Sequence, residues 1–196
     1  ASLRNQINMI ELLKFQNMKD NAKLVETLRE FARITGIENP VGLSFSIPSG
    51  HTCQGIAKTC LTLANKTTGK LTQGKFAQFY CFSALNETRP IVRAARWWNY
   101  ELLLKLWSYA GTDYIDIANF IIESLPKKYP DLIRVHVGGE YPGTPFGKEY
   151  MRAWFHVAKV TGIHVYSYTK NVKTFLEVRH EQSDLDNFNM TISVGG

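Results

Sequence analysis

Four short segments alternate apolar with polar residues, and stretches of helical periodicity separate each from the next. Few folds accept both patterns at once. The segments are "VGLSFSIP" (41–48), "LIRVHVGG" (132–139), "IHVYSYT" (163–169) and "FNMTISV" (188–194). A period of two marks a strand with two unlike faces. Between them lie "RPIVRAARWWNYELLLKLWSYAG", "DYIDIANFIIESLPKKYP", "GKEYMRAWFHVAKVTG" and "VKTFLEVRH", which read as helices, with Asp113 a candidate N-cap and Pro90 near a helix start. Strands alternating with helices make parallel βαβ units. The expected class is therefore α/β: parallel-stranded βα repeats forming a partial or truncated (β/α) barrel. Residues 1–40 read as an N-terminal helical extension of two helices, "LRNQINMIELLKFQNM" and "NAKLVETLREFARITG", the second capped by Gly36. Residues 41–196 make the barrel domain, with a cysteine-containing loop at about 49–88.

The polar sides of the strands carry Ser44 and Ser46, Arg134 and His136, His164, Tyr166 and Tyr168, and Thr191 and Ser193. An antiparallel sheet with one wet side would alternate for no functional reason. Arginine, histidine and tyrosine are costly to bury unless they meet each other or a ligand, so the expectation is one shared polar hollow. Ligands of parallel α/β folds sit at the carboxyl ends of the strands. Glu140 and Lys170 stand there, beside glycines that are otherwise read as plain turns. His136 and Glu140 are candidate general acid–base groups and Lys170 a candidate anion contact, with Arg134, Tyr166, Tyr168 and Ser193 as substrate-binding residues.

All three cysteines fall in one connection. Cys53 and Cys60 have six residues between them, Cys81 follows after twenty more, and His51 is a fourth candidate ligand. Thiolates suit zinc or an iron–sulfur cluster. The spacing is neither a CxxC knuckle nor the tight three-cysteine loop of radical S-adenosylmethionine enzymes, and buried thiols filling a core are the plain alternative. The flanking "GHTCQG" and "AKTC" are too polar for a core.

A net charge of +6 favours an anionic partner, nucleic acid or a nucleotide. Arg89, Arg93 and Arg96 share a helix face followed by Trp97, Trp98 and Tyr100, and Lys58, Lys66, Lys70 and Lys75 make the cysteine loop basic. Arginines beside aromatics suit a single-stranded or flipped-out base, which makes Arg93 and Arg96 further candidate substrate-binding residues; an amphipathic helix with core tryptophans and solvated arginines is the alternative. No apolar run reaches the roughly 20 residues of a membrane helix and no signal-peptide core precedes the first helix, so the expected setting is soluble and intracellular.

The stretch "SIPSGHTCQGIAKTCLTLANKTTGKLTQGKFAQFYCFSALNETRPIVRAARWWNYELL" resembles the opening motif of the tailed-phage gene product 88 family. "IRVHVGGEYPG", "KEYMRAWFHVAKV", "VYSYTKN" and "MTISVGG" are similar to its next blocks, over about residues 42–196, with Gly139-Glu140 where Gly-Asp is more usual. The resemblance implies a phage-encoded protein acting in the cytoplasm of an infected host cell, with Cys53, Cys60 and Cys81 in the family's cysteine positions. It brings no activity with it. Three functions follow as expectations. The first is a metal-bound enzyme modifying nucleic acid or a nucleobase, by architectural analogy with base-exchanging transglycosylases or S-adenosylmethionine radical barrels. The second is a non-catalytic nucleic-acid-binding protein with a metal staple. The third is a phage structural or host-takeover protein.

Overall fold

The computed structural model describes residues 11–57, 61–74, 76, 81–109, 111–181 and 185–193. The principal sheet has five strands in the order β1 (Gln16–Asn17), β2 (Gly42–Phe45), β5 (Leu132–Val135), β6 (His164–Thr169), β7 (Phe188–Ile192). β1 is antiparallel to β2; the remaining pairings are parallel, with Ser44, Arg134, Tyr166 and Asn189 in one row. A small hairpin, β3 (Leu63–Ala64) with β4 (Leu71–Thr72), lies inside the cysteine loop.

Six helices accompany the strands among the described residues: α1 (Ala22–Thr35), α2 (Phe82–Leu85), α3 (Pro90–Trp107), α4 (Tyr114–Glu123), α5 (Pro145–Thr161) and α6 (Val172–Glu181). From β2 onward each crossover advances the chain one place in the same direction. Crossovers of one hand then put their helices on one side of the sheet. The core shows this: Leu103 and Leu106 of α3, Ile117 and Ile121 of α4, and Trp154 of α5 pack on Phe45, Ile133, Val135 and Val165. A second, smaller cluster of Met18, Leu24, Leu28 and Leu132 puts α1 on the opposite face. The architecture is thus mixed α/β with a mostly parallel sheet, and no closed barrel forms among the described residues.

Two expectations change. Residues 1–10 of the first expected helix lie outside the described set, and residues 11–17 are extended rather than helical. The reason is Asn99 of α3, whose Oδ1 accepts the Lys14 amide at 2.7 Å while its Nδ2 donates to the Lys14 carbonyl at 2.9 Å. A side-chain amide so placed substitutes for a neighbouring strand. Leu13 is then buried, and Phe15 meets Phe45 at 5.2 Å between ring centroids.

The other change is in β5. Its alternation breaks at His136, which has a left-handed backbone (φ 65°). That turn moves the imidazole to the helical side and leaves Val137 packed with the α1 cluster. The expected assignment of both residues is therefore reversed.

Candidate functional site

β5 ends at Val135; the His136 amide still reaches the Phe45 carbonyl at 2.8 Å, and the amides from Gly138 to Glu140 turn to side-chain acceptors. Three hydroxyls from the segment after β2 supply acceptors in sequence. Ser46 Oγ accepts the Gly138 amide at 3.1 Å, Ser49 Oγ that of Gly139 at 3.1 Å, and Thr52 Oγ1 that of Glu140 at 3.0 Å. The hydroxyls are spaced by three residues and the amides by one, so a turning segment is laid along an extended one. Gly139 (φ 95°) is required here, because a Cβ would stand 2.6 Å from the Ile47 carbonyl oxygen.

Glu140 then ties the next two loops together. Its Oε1 accepts the Tyr141 amide at 2.8 Å and the Thr169 hydroxyl at 2.7 Å, and its Oε2 accepts the Lys170 amide at 2.7 Å. Only 5% of the residue is exposed. Burial raises its pKa, while the hydrogen bonds from Lys170, Thr169 and Tyr141 and the Lys170 charge pull the other way. Asn171 completes the knot by donating to the Tyr141 carbonyl at 3.1 Å and accepting the Thr174 amide at 3.3 Å, as the cap of α6.

Above this knot lies a cleft of about 470 Å³ between the first turns of α5 and α6. Thr144 caps α5 through Gly147 at 3.2 Å, and Pro145 occupies the first turn, where its missing N–H costs nothing. The charged residues lining the cleft are Lys148, Lys170, Lys173 and Glu177, three cations against one carboxylate. Lys148 and Glu177 pair across it at 2.9 Å, and that hydrogen bond holds the Glu177 carboxyl below its ordinary range. Both helix N-termini add positive potential.

The expected single hollow is divided. His136, 5% exposed, lies on the helical side with Nε2 3.0 Å from the Tyr150 hydroxyl and its ring 4.4 Å from Tyr141. Desolvation lowers its pKa to about 3, so it is neutral near pH 7. Glu140 and His136 are both sealed below the cleft rather than lining it. Lys170 does line it. Arg134, Tyr166 and Tyr168 stand on the α1 side of the sheet. Ser193, beyond the end of β7, donates its amide to the Thr169 carbonyl at 2.8 Å.

Arg93 and Arg96 correct the expectation of an outward basic stripe. Arg93 donates to the carbonyls of Lys66, Thr67, Glu87 and Thr88, bracing the hairpin loop against α3. Arg96, 4% exposed, pairs at 2.6 Å with Glu87, which is 0% exposed. It also reaches the Ser83 carbonyl at 2.9 Å and lies so close to Gly138 that a Cβ there would sit 2.2 Å from its guanidinium carbon. Trp97 packs on His51 at 4.9 Å, and Trp98 donates to the Leu12 carbonyl at 2.9 Å.

In the cysteine loop His51 Nε2 lies 2.9 Å from the Ala64 carbonyl, which assigns the proton to that nitrogen and leaves Nδ1 as the lone-pair donor. Cys81 caps α2, its sulfur accepting the Ala84 amide at 3.4 Å. Cys53 and Cys81 are partly exposed, and Cys60 lies outside the described residues, as do Lys58 and Lys75. Among the described residues no group of three His, Cys, Asp or Glu side chains gathers in metal-binding range. No helix among them is long and apolar enough to cross a membrane.

Sequence reasoning missed Glu87, Lys148, Lys173 and the hydroxyl series. Ser46, Ser49 and Thr52 at intervals of three were the readable signal for the last. Glu87 gave none, because the helical spacing of Arg96 points to a bound base or phosphate, or to solvent, and not to a buried carboxylate.

Comparison with known proteins gives one match: the family model described as Gene product 88 aligns with residues 12–196, and so includes the extended segment and α1. No curated protein and no solved structure matches the chain.

Proposed function

Since the chain belongs to the gene product 88 family over nearly its whole length, the function must be sought in structure that this length builds, and we propose that it binds a phosphate-bearing ligand, a nucleotide or nucleic acid, in the cleft between α5 and α6. The observation that carries this reading is the meeting of two helix N-termini and three lysines at the carboxyl ends of parallel strands. Each helix end favours an anion by about 0.3–1 kcal/mol, and the lysines add point charges that suit phosphate. The four parallel strands are taken as half of a (β/α) barrel, whose ligands also lie at that face. Binding is favoured over proton transfer, since the expected acid–base pair is buried and Glu140 has both oxygens occupied. Glu140 acts instead as a positioning residue for the loop that carries Lys170.

Titration calorimetry with inorganic pyrophosphate at low salt tests this. Binding should be measurable, and Lys148→Ala combined with Lys173→Ala should weaken it at least tenfold. Equal heats from wild type and variant would remove the cleft from consideration.

A second reading is supported by the partial exposure of Cys53 and Cys81, since unliganded thiols are ordinarily among the most buried side chains. Zinc or an iron–sulfur cluster held by Cys53, Cys60 and Cys81, with His51 through Nδ1, would staple the loop that walls the strand ends. Elemental analysis of anaerobically purified protein should give stoichiometric zinc or iron. Metal-free protein with three titratable thiols would refute it.

A further inference from the structure

The face of the sheet turned away from α3–α6 is covered along only part of its area. Leu28 of α1 presses on Gly42, where a Cβ would stand 2.5 Å from the leucine methyl, and Phe31 meets His164 at 5.2 Å. Further along the strands a different surface begins. Arg134 is paired in register with Tyr166, Tyr166 with Asn189, and Tyr168 with Thr191. The guanidinium carbon of Arg134 lies 5.8 Å from the Tyr166 ring and 5.3 Å from the Tyr168 ring. Tyr168 is 44% exposed, although it lies in an interior strand of a parallel sheet, where both faces are normally covered.

One charged group of this surface, Arg134, lacks a complement. Arg134 is half-buried, yet no carboxylate pairs with it among the described residues. Its Nε is sealed from water without an acceptor, while the Tyr166 hydroxyl is buried between Arg134 and Thr27 of α1. A guanidinium withdrawn from water is costly until an anion meets it. The unmet group is cationic, the chain as a whole carries +6, and the exposed ring beside it offers a π-face. A plain peptide partner would need acidic residues to meet Arg134 and gains little from a bare tyrosine face. A nucleic-acid strand supplies both complements at once: phosphates for Arg134 and bases for Tyr168. A duplex offers phosphates and base edges but no free base face to stack on Tyr168.

We propose that this sheet face binds single-stranded nucleic acid, with a base stacked on Tyr168 and a phosphate held by Arg134. Asn189 and Thr191, both exposed on the neighbouring edge strand, offer hydrogen bonds to sugar or base. Lys170 follows Tyr168 by two residues, roughly 7 Å along the strand, so the cleft opens beside the ring surface. The backbone of the bound strand continues from Arg134 into the cleft; that continuation rests on the phosphate reading above, whereas the ring surface does not.

The test is fluorescence anisotropy with a labelled oligothymidylate of about sixteen nucleotides, an oligouridylate of the same length, and a duplex of the same length. Both single strands should bind more tightly than the duplex. Tyr168→Ala should weaken single-strand binding about five- to a hundredfold, while Tyr168→Phe, which keeps the ring, should stay within about twofold of wild type. Arg134→Gln should weaken binding and lower the salt slope by about one. Thermal melts of the variants serve as the folding control.

If the duplex binds as well as the single strands, or if folded Tyr168→Ala binds like wild type, the proposal is overturned. A change in oligomeric state of Tyr168→Ala by light scattering, with no oligonucleotide binding in either protein, would make the face a protein interface and overturn it equally. The two sites separate cleanly. Loss of pyrophosphate binding in the lysine variant with oligonucleotide binding retained supports the ring surface alone; the converse supports the cleft alone and overturns the inference.

Discussion

Arg96 and Glu87 show what a single pair of charges does for this molecule. Both are withdrawn from water, and Glu87 Oε1 also accepts the Ser49 amide at 2.7 Å. Removing one partner leaves the other charged and buried, which costs about 3–5 kcal/mol. Arg96→Met should therefore lower stability by that amount in urea titrations. Arg96→Met with Glu87→Leu should recover part of the loss, because no orphan charge remains; a double variant less stable than either single one would contradict the account. His136 gives a pH-dependent counterpart. Its pKa is lowered from 6.5 to about 3, so below pH 6.5 the unfolded chain binds a proton that the folded one refuses. Stability contributed by the neutral imidazole is thus present above pH 6.5 and is lost as pH falls toward 3, by roughly 5 kcal/mol in all. Glu140, with its pKa raised, works in the opposite sense, since acidification relieves its buried charge. His136→Asn, which tolerates the left-handed turn, should flatten the acid limb of the stability profile. An unchanged slope would show that the imidazole is not the titrating group.

At the level of elements, the carboxyl ends of β2, β5 and β6 are joined by side chains in addition to the backbone bonds from His136 to Phe45 and from Ile47 to Gly138. Ser46, Ser49 and Thr52 hold the turn after β5, and Glu140 and Asn171 hold that turn to the end of β6. Glu140→Gln keeps the shape but offers one acceptor where two oxygens served. It should cost about 1–3 kcal/mol of stability and should weaken pyrophosphate binding, since Lys170 and the cap of α6 lose their tether. A variant as stable as wild type with unaltered binding would show that the tether is dispensable. Asn99 performs the same kind of work at the other end of the molecule. The helical periodicity of residues 3–18 was a fair reading of Ile7, Ile10 and Leu13, but no sequence rule shows that an amide 85 positions away will pair with Lys14. Tertiary hydrogen bonding overrode local pattern there, as a left-handed backbone overrode alternation at His136.

For the whole molecule, the parallel run of β2, β5, β6 and β7 and the long helices between them are legible in the periodicity, because each pattern reports burial of one face, whereas β1, the β3–β4 hairpin and α2 are too short to leave one. The gathering of Glu140, Lys170 and the glycines at one end of the sheet was readable too, since parallel strands share their carboxyl ends. The division of the polar residues between two faces was not. It depends on one positive φ at residue 136 and on α1 lying over the face expected to stay open. Arg93 and Arg96 were misread for a related cause: helical spacing gives a common side but not whether solvent or a folded loop lies against it.

The proposed phosphate site lies where α5 and α6 begin. Backbone amide shifts in ¹⁵N-labelled protein titrated with inorganic pyrophosphate report this most directly. A saturable response concentrated at Gly143, Thr144, Lys170, Asn171 and Lys173 is expected. Shifts confined to the Lys66–Lys70 hairpin, or none at concentrations that saturate the calorimetric signal, would contradict it.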